Sequence, residues 1–110
     1  MSAIVVITIA VTVLAMMLDD YVVDILMRDL VGHDHQPTSF LIYLWFSYET
    51  ARSRRERVPV SYQTIADSVG VSKTAAQTAV RWLVRRKLIE VKRNSRTAVP
   101  TYRVLRPWLD

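Results

Sequence analysis

Cysteine is absent from the chain. That excludes disulfides and thiolate metal sites, and it agrees with the reducing cytosol, the compartment expected for this protein. Glycine occurs only at Gly32 and Gly70 and proline four times, so little of the 110 residues reads as linker or low-complexity sequence. Missing too are a glycine-rich phosphate loop, a nucleophile beside a base and a pair of facing carboxylates. Catalysis is therefore not expected, and no cofactor is implied. His33-Asp34-His35 is the one cluster of metal-ligating types. Adjacent residues rarely converge on one ion, so the cluster reads as a loop and no metal is expected.

The most informative scarcity is that of positive charge in the first half. Residues 1–50 hold one basic residue, Arg28, against Asp19, Asp20, Asp24, Asp29, Asp34 and Glu49, a balance of −5. Residues 51–110 hold 14 basic residues against Glu56, Asp67, Glu90 and Asp110, a balance of +10, and the two make the net +5. Such an asymmetry assigns a polyanion to the second half and a different task to the first.

The chain is the size of one small domain with a short appendage. It opens on an uncharged apolar run, Ala3–Leu18. The run falls short of the roughly 20 residues of a membrane span and has no basic start, so a signal peptide or membrane anchor is not expected. The acidic flank that follows would also place the basic half outside the cell, away from DNA. Residues 1–16 read either as a packed helix or strand, or as residues preceding a true start at Met16 or Met17.

From about Met17 to Val31 an amphipathic helix is expected, with Leu18, Val22, Ile25, Leu26 and Leu30 inward and Gly32 as its left-handed stop. After a loop through Pro37, Thr38 or Ser39 is expected to cap a second helix reaching Arg54, apolar around most of its circumference. Val58-Pro59-Val60 reads as an edge strand, because its proline cannot donate to a ladder. Ser61 then caps Tyr62–Val69, Gly70-Val71 turns the chain, and Ser72 caps a helix reaching about Lys87. Alternation at Ile89–Arg93 and Thr101–Leu105 predicts a half-buried hairpin around a loop at Asn94–Val99.

Ser61 to Leu83 reads SYQTIADSVGVSKTAAQTAVRWL. Two capped helices meet at a turn whose glycine admits a positive φ, and Ala66 lets the second cross closely over the first. With the hairpin that follows, the stretch resembles the winged helix-turn-helix superfamily, in particular gluconate-repressor-type and multiple-antibiotic-resistance-type regulators. The resemblance covers about residues 38–107. It implies an α+β fold, mainly helical, with a C-terminal β-hairpin wing and an N-terminal helical extension. Residues 38–110 are then the winged domain and residues 17–37 an added helix and loop. Lys87 departs from the pattern, since relatives usually carry glycine there.

In the second helix of the pair, Ala76, Ala79, Val80 and Leu83 recur at core spacing, which leaves Lys73, Thr74, Gln77, Thr78 and Arg81 on the other face. The resemblance places that face in the major groove. Gln reads adenine, Arg and Lys read guanine, and Thr meets a thymine methyl or a phosphate. Ser72 and the helix N-terminus would meet phosphate. Lys92, Arg93 and Arg96 would carry the wing to the minor groove. The expected function is sequence-specific binding of double-stranded DNA by a transcriptional regulator. The alternatives are a replication or plasmid-maintenance initiator, a winged-helix protein-interaction module and a membrane-anchored regulator. A homodimer is expected through residues 17–48, whose apolar faces exceed the needs of a domain this small. The Arg52–Arg57 cluster suits a solvated helix end as well as it suits phosphate, and Trp45, Trp82 and Trp108 read as core or interface.

Overall fold

Helix α2, Pro37–Ser53, is the axis on which the other elements are laid. Pro37 begins it, because a first-turn residue needs no N–H partner and the ring presets φ. Gln36 rather than Thr38 or Ser39 is the N-cap, and its side chain makes no capping bond. Ser39 instead lies within the first turn, fully buried, its hydroxyl donating to the Ala79 carbonyl at 3.1 Å. Phe40, Ile42, Tyr43 and Phe46 supply the large buried side chains of α2.

The computed structural model describes Ala3, Ile4, Ile7 and residues 20–109. Ala3, Ile4 and Ile7 are helical and exposed, and the readings of the rest of Ala3–Leu18 lie outside the described residues. Helix α1 is π-wound over Val22–Leu26 and Arg28–His33, with Met27 between them. Helix α3 is Tyr62–Val69 and α4 is Lys73–Arg85. Strands β1 (Val58–Pro59), β2 (Ile89–Lys92) and β3 (Thr101–Val104) form one antiparallel sheet in the order β1-β3-β2. Val58 stands opposite Tyr102, and Ile89 opposite Val104. Pro59 sits on an edge strand, as its missing donor requires. The chain is thus α+β and mainly helical, with a small three-stranded antiparallel sheet. No helix among the described residues is long and apolar enough to cross a membrane.

One core joins these elements. Helix α2 packs on α1, α3, α4, β1 and β3. Ile65 and Ala66 of α3, Ala76, Ala79, Val80 and Leu83 of α4, and Ile89 and Tyr102 of the sheet close around it. The described residues end on a 3₁₀ turn, Pro107–Leu109, where Trp108 stacks on Tyr21 with ring centroids 4.5 Å apart. Tyr43 donates its hydroxyl to the Leu105 carbonyl at 3.0 Å. Tyr21, Trp108 and the Leu105 carbonyl thus gather around Tyr43 of α2.

Three expectations are corrected. Gly32 does not stop α1: the helix runs to His33, and the left-handed residue is His35, with φ 56°. The turn is set by Asp34, which is drawn away from α1 onto α4. Ile25 faces solvent, because α1 buries the row Val22, Leu26 and Leu30. Val91 is exposed as well, since no layer covers the outer face of the hairpin. Within residues 17–48, Val22, Leu26, Leu30, Phe40 and Phe46 enter the core of their own chain, whereas Val23, Met27, Val31 and Leu41 stay exposed.

Helix α4 ends at Arg85, and Lys87 adopts the left-handed conformation itself, at φ 58°. Leu88 N–H donates to the Leu83 carbonyl at 2.9 Å and Lys87 N–H to that of Val84 at 3.0 Å. This is a Schellman stop with lysine where glycine would be unstrained. Lys87→Gly is expected to raise stability by about 0.5–1 kcal/mol, after allowing for the extra freedom glycine has when unfolded. Urea titration of the two proteins checks it, and an unchanged or lowered midpoint would show that the stop carries no strain.

Candidate nucleic-acid interface

The two helices α3 and α4 begin alike. Ser61 Oγ accepts from Thr64 N–H at 3.2 Å, and Ser72 Oγ accepts from Ala75 N–H at 3.0 Å. Each serine satisfies one donor left orphaned at a helix start. Gly70, at φ 87°, supplies the left-handed residue between them, and its N–H and that of Val71 both reach the Ala66 carbonyl. The outcome is a tight turn with Ile65 and Ala66 pressed against α4.

The outer face of α4 is placed as its spacing predicts. Ser72, Lys73, Thr74, Thr78 and Arg81 are exposed and Gln77 is half-buried, while Ala76, Ala79, Val80 and Leu83 point inward. Beyond Lys92 the hairpin loop is exposed from Arg93 to Thr97, and Ser95 closes it by accepting Ala98 N–H at 3.1 Å. Arg93 donates to the Arg96 carbonyl at 3.5 Å, which folds its guanidinium back along the loop.

Lys73, Arg93 and Arg96 meet around one cleft of about 270 Å³ between the start of α3, the start of α4 and the hairpin loop. Thr74, Gln77, Thr78 and Arg81 lie outside this cleft along α4, and Lys92 lies outside it on the strand. The cleft also contains Tyr62 and Gln63, which the sequence did not single out. Their signal was their position just after the Ser61 cap, where a helix start faces whatever the second helix faces. Beneath the hairpin, burial pushes the Tyr102 phenol far above its usual range, so that strand side chain stays neutral.

Four cations elsewhere are engaged by carboxylates, whereas Arg54, Arg55 and Lys87 are exposed and in no ion pair among the described residues. Arg57 and Arg103 both bind Glu90, and Arg103 also reaches Glu56 at 3.1 Å. Hydrogen bonds from Arg57 and then Arg103 hold the Glu90 carboxyl below its usual range, against the opposing effect of burial. Arg52 donates to Glu49 at 2.7 Å. Within the Arg52–Arg57 cluster, therefore, Arg52 and Arg57 are bound to carboxylates. By contrast, no carboxylate among the described residues pairs with Lys73, Arg81, Lys92, Arg93 or Arg96. Arg85 lies over the Trp82 ring, its guanidinium carbon 5.7 Å from the centroid.

The rear of α4 is fastened by a side chain the sequence placed in a loop. Asp34, its side chain 5% exposed, accepts from Trp82 Nε1 at 2.9 Å and forms an ion pair with Arg86 Nε at 3.1 Å, and His33 Nδ1 lies 2.8 Å from its other oxygen. The cluster His33-Asp34-His35 thus acts as a strut to α4. Among the described residues no group of three or more acidic or histidine side chains is placed to hold a metal ion.

No protein-family model matches the chain, and no curated protein or solved structure matches it.

Burial would raise the Asp34 carboxyl, but hydrogen bonds from His33 and Trp82 and the charge of Arg86 outweigh it and hold the group below its ordinary value. A carboxyl lowered on folding stabilises fully above its unfolded pKa of about 3.9, and that stabilisation is lost as the pH falls through the folded value. Asp34→Ala is expected to cost about 1–3 kcal/mol at neutral pH, because Trp82 and Arg86 lose a shared buried acceptor. The cost should shrink below about pH 4. Melts of the parent and the variant from neutral to acid pH check both statements. A cost that stays constant with pH would show that the carboxylate charge is not what matters.

Proposed function

We propose that residues 38–110 form a winged helix-turn-helix domain that binds duplex DNA sequence-specifically and acts as a transcriptional regulator. The reading rests on one observation above the others. Five cations, Lys73, Arg81, Lys92, Arg93 and Arg96, stand exposed and without a carboxylate on α4 and the hairpin, while Arg52, Arg57, Arg86 and Arg103 are neutralised elsewhere. Three of the five, Lys73, Arg93 and Arg96, are gathered around one cleft. Free cations gathered on one side neutralise phosphates and release the counterions condensed on DNA.

The order of elements supports the same reading. A helix, an edge strand, two capped helices and a hairpin follow one another, with the first strand joined to the last. In this proposal α4 lies in the major groove and the hairpin reaches the adjacent minor groove. Gln77 and Arg81 carry the chemistry for base edges, Gln for adenine and Arg for guanine. Thr74 and Thr78 sit beside them, suited to a thymine methyl or a phosphate. Lys73, Arg93 and Arg96, around the cleft, hold one strand's backbone, with Ser72 and the free N–H groups of the α4 start adding donors.

Two outcomes test it. Affinity should fall steeply with salt, with a log–log slope near −0.9 for each phosphate neutralised and about four to six phosphates per domain. Fluorescence anisotropy with a labelled duplex measures that slope, and a flat response would remove the electrostatic basis of the proposal. Once a preferred site is selected from random duplexes, Gln77→Ala or Arg81→Ala should cost about 1–3 kcal/mol there and little on random DNA. Arg96→Ala should weaken both alike. Gln77 and Arg81 variants that bind every duplex as the parent does would show that α4 is not the reading element.

A further inference from the structure

Helix α1 has a second face that the core does not use. Val23, Met27 and Val31 form an apolar row on it, at 44%, 42% and 40% exposed, next to the buried row Val22, Leu26 and Leu30. The row borders a shallow groove of about 560 Å³ whose remaining lining is Asp24, Arg28 and Gly32. Aligned apolar side chains left in water in this way mark a contact surface. Two further features say what it contacts.

The first is charge. Asp24 and Arg28 stand one helical step apart on this face, and neither is in an ion pair among the described residues. A segment that carries Asp24 and Arg28 is complementary to itself when two copies run antiparallel. A two-fold axis near Met27 sets Met27 against Met27 and Val23 against Val31 of the second copy. It also brings Asp24 of each copy toward Arg28 of the other. The apolar run Ala3–Leu18 holds no charged residue to meet either group, so it answers only half of the surface.

The second is Gly32. Its backbone is not left-handed, and a Cβ built there would meet nothing within 4 Å. Neither conformation nor packing within the chain calls for glycine at this point, where it weakens a helix. A second copy running antiparallel along the row brings its Val23 end to this point, and the missing side chain leaves room for it.

We infer that the Val23–Met27–Val31 face of α1 is the surface through which a second copy of this chain binds, antiparallel and two-fold. Because the pairing is measured without DNA, its failure and a failure of DNA binding are read separately.

Sedimentation equilibrium of the full chain tests it, with circular dichroism confirming that each variant folds. The parent should be a dimer across the micromolar range. Met27→Asp should weaken association by at least about a hundredfold, since it buries a charge in an apolar seam. Asp24→Arg and Arg28→Asp alone should each weaken it about tenfold by setting like charges face to face, and the two together should restore it. A dimer undisturbed by Met27→Asp, or no recovery in the double variant, overturns the inference. So does a monomeric parent, which would assign the face to residues 3–18 of its own chain.

Discussion

The placement of α4 and of its exposed face depends on how closely α2 and α4 approach. That approach is set by small residues: Ser39 on one helix and Ala76 and Ala79 on the other are all fully or almost fully buried. The Ser39 hydroxyl bridges the gap to the Ala79 carbonyl, so a polar atom at the centre of the core is satisfied by the helix it packs against. A bulkier residue at any of the three would push α4 outward, and the turn at Gly70 would move with it. Because α4 has one face in this contact and the other in water, the contact fixes which residues are presented and at what angle.

Electrostatics then divides the surface. The sheet carries its own neutralised network, with Glu90 held between Arg57 and Arg103, and α4 is held from behind by Asp34 through Arg86. Of the acidic residues of the basic half, Glu56 and Glu90 are bound by Arg57 and Arg103, and Asp67 accepts from Gln63 on α3. Lys73, Arg93 and Arg96 are left to act together across the cleft. Net charge alone would not have distinguished the free cations from the bound ones. Their partners do.

What was legible in the sequence was what local chemistry decides. The Ser61 and Ser72 caps, the Gly70 turn, the edge strand at Pro59 and the hairpin are each set by residues within a few positions, and each appears where its signal lies. The inward face of α4 was legible for the same reason. Long-range partners were not. Asp34 meets Trp82 across 48 positions, and Glu56 meets Arg103 across 47, and neither pairing leaves a periodic trace. Ser39 looked like a cap because serine caps helices so often, but Pro37 had already started the helix and the hydroxyl was taken by α4. The stop of α1 was misplaced to Gly32 because glycine is the usual left-handed residue, whereas the pull of Asp34 toward α4 puts that conformation on His35. The α1 row Val22, Leu26 and Leu30 is a core row only because α2 lies beneath it.

The strut from Asp34 to Trp82 and Arg86 has a mechanical consequence. Apolar contacts tolerate sliding, but a carboxylate shared between an indole N–H and a guanidinium is directional, and its geometry fails when one partner rotates. Helix α1 is thereby locked in azimuth to the C-terminal half of α4. Any body attached to the outer face of α1 inherits that azimuth, and two such bodies would hold their α4 helices at a fixed phase rather than on a swivel. Torsional stiffness of this kind makes a molecule sensitive to the helical phase of whatever spans both α4 helices, and indifferent to small changes in the loops between.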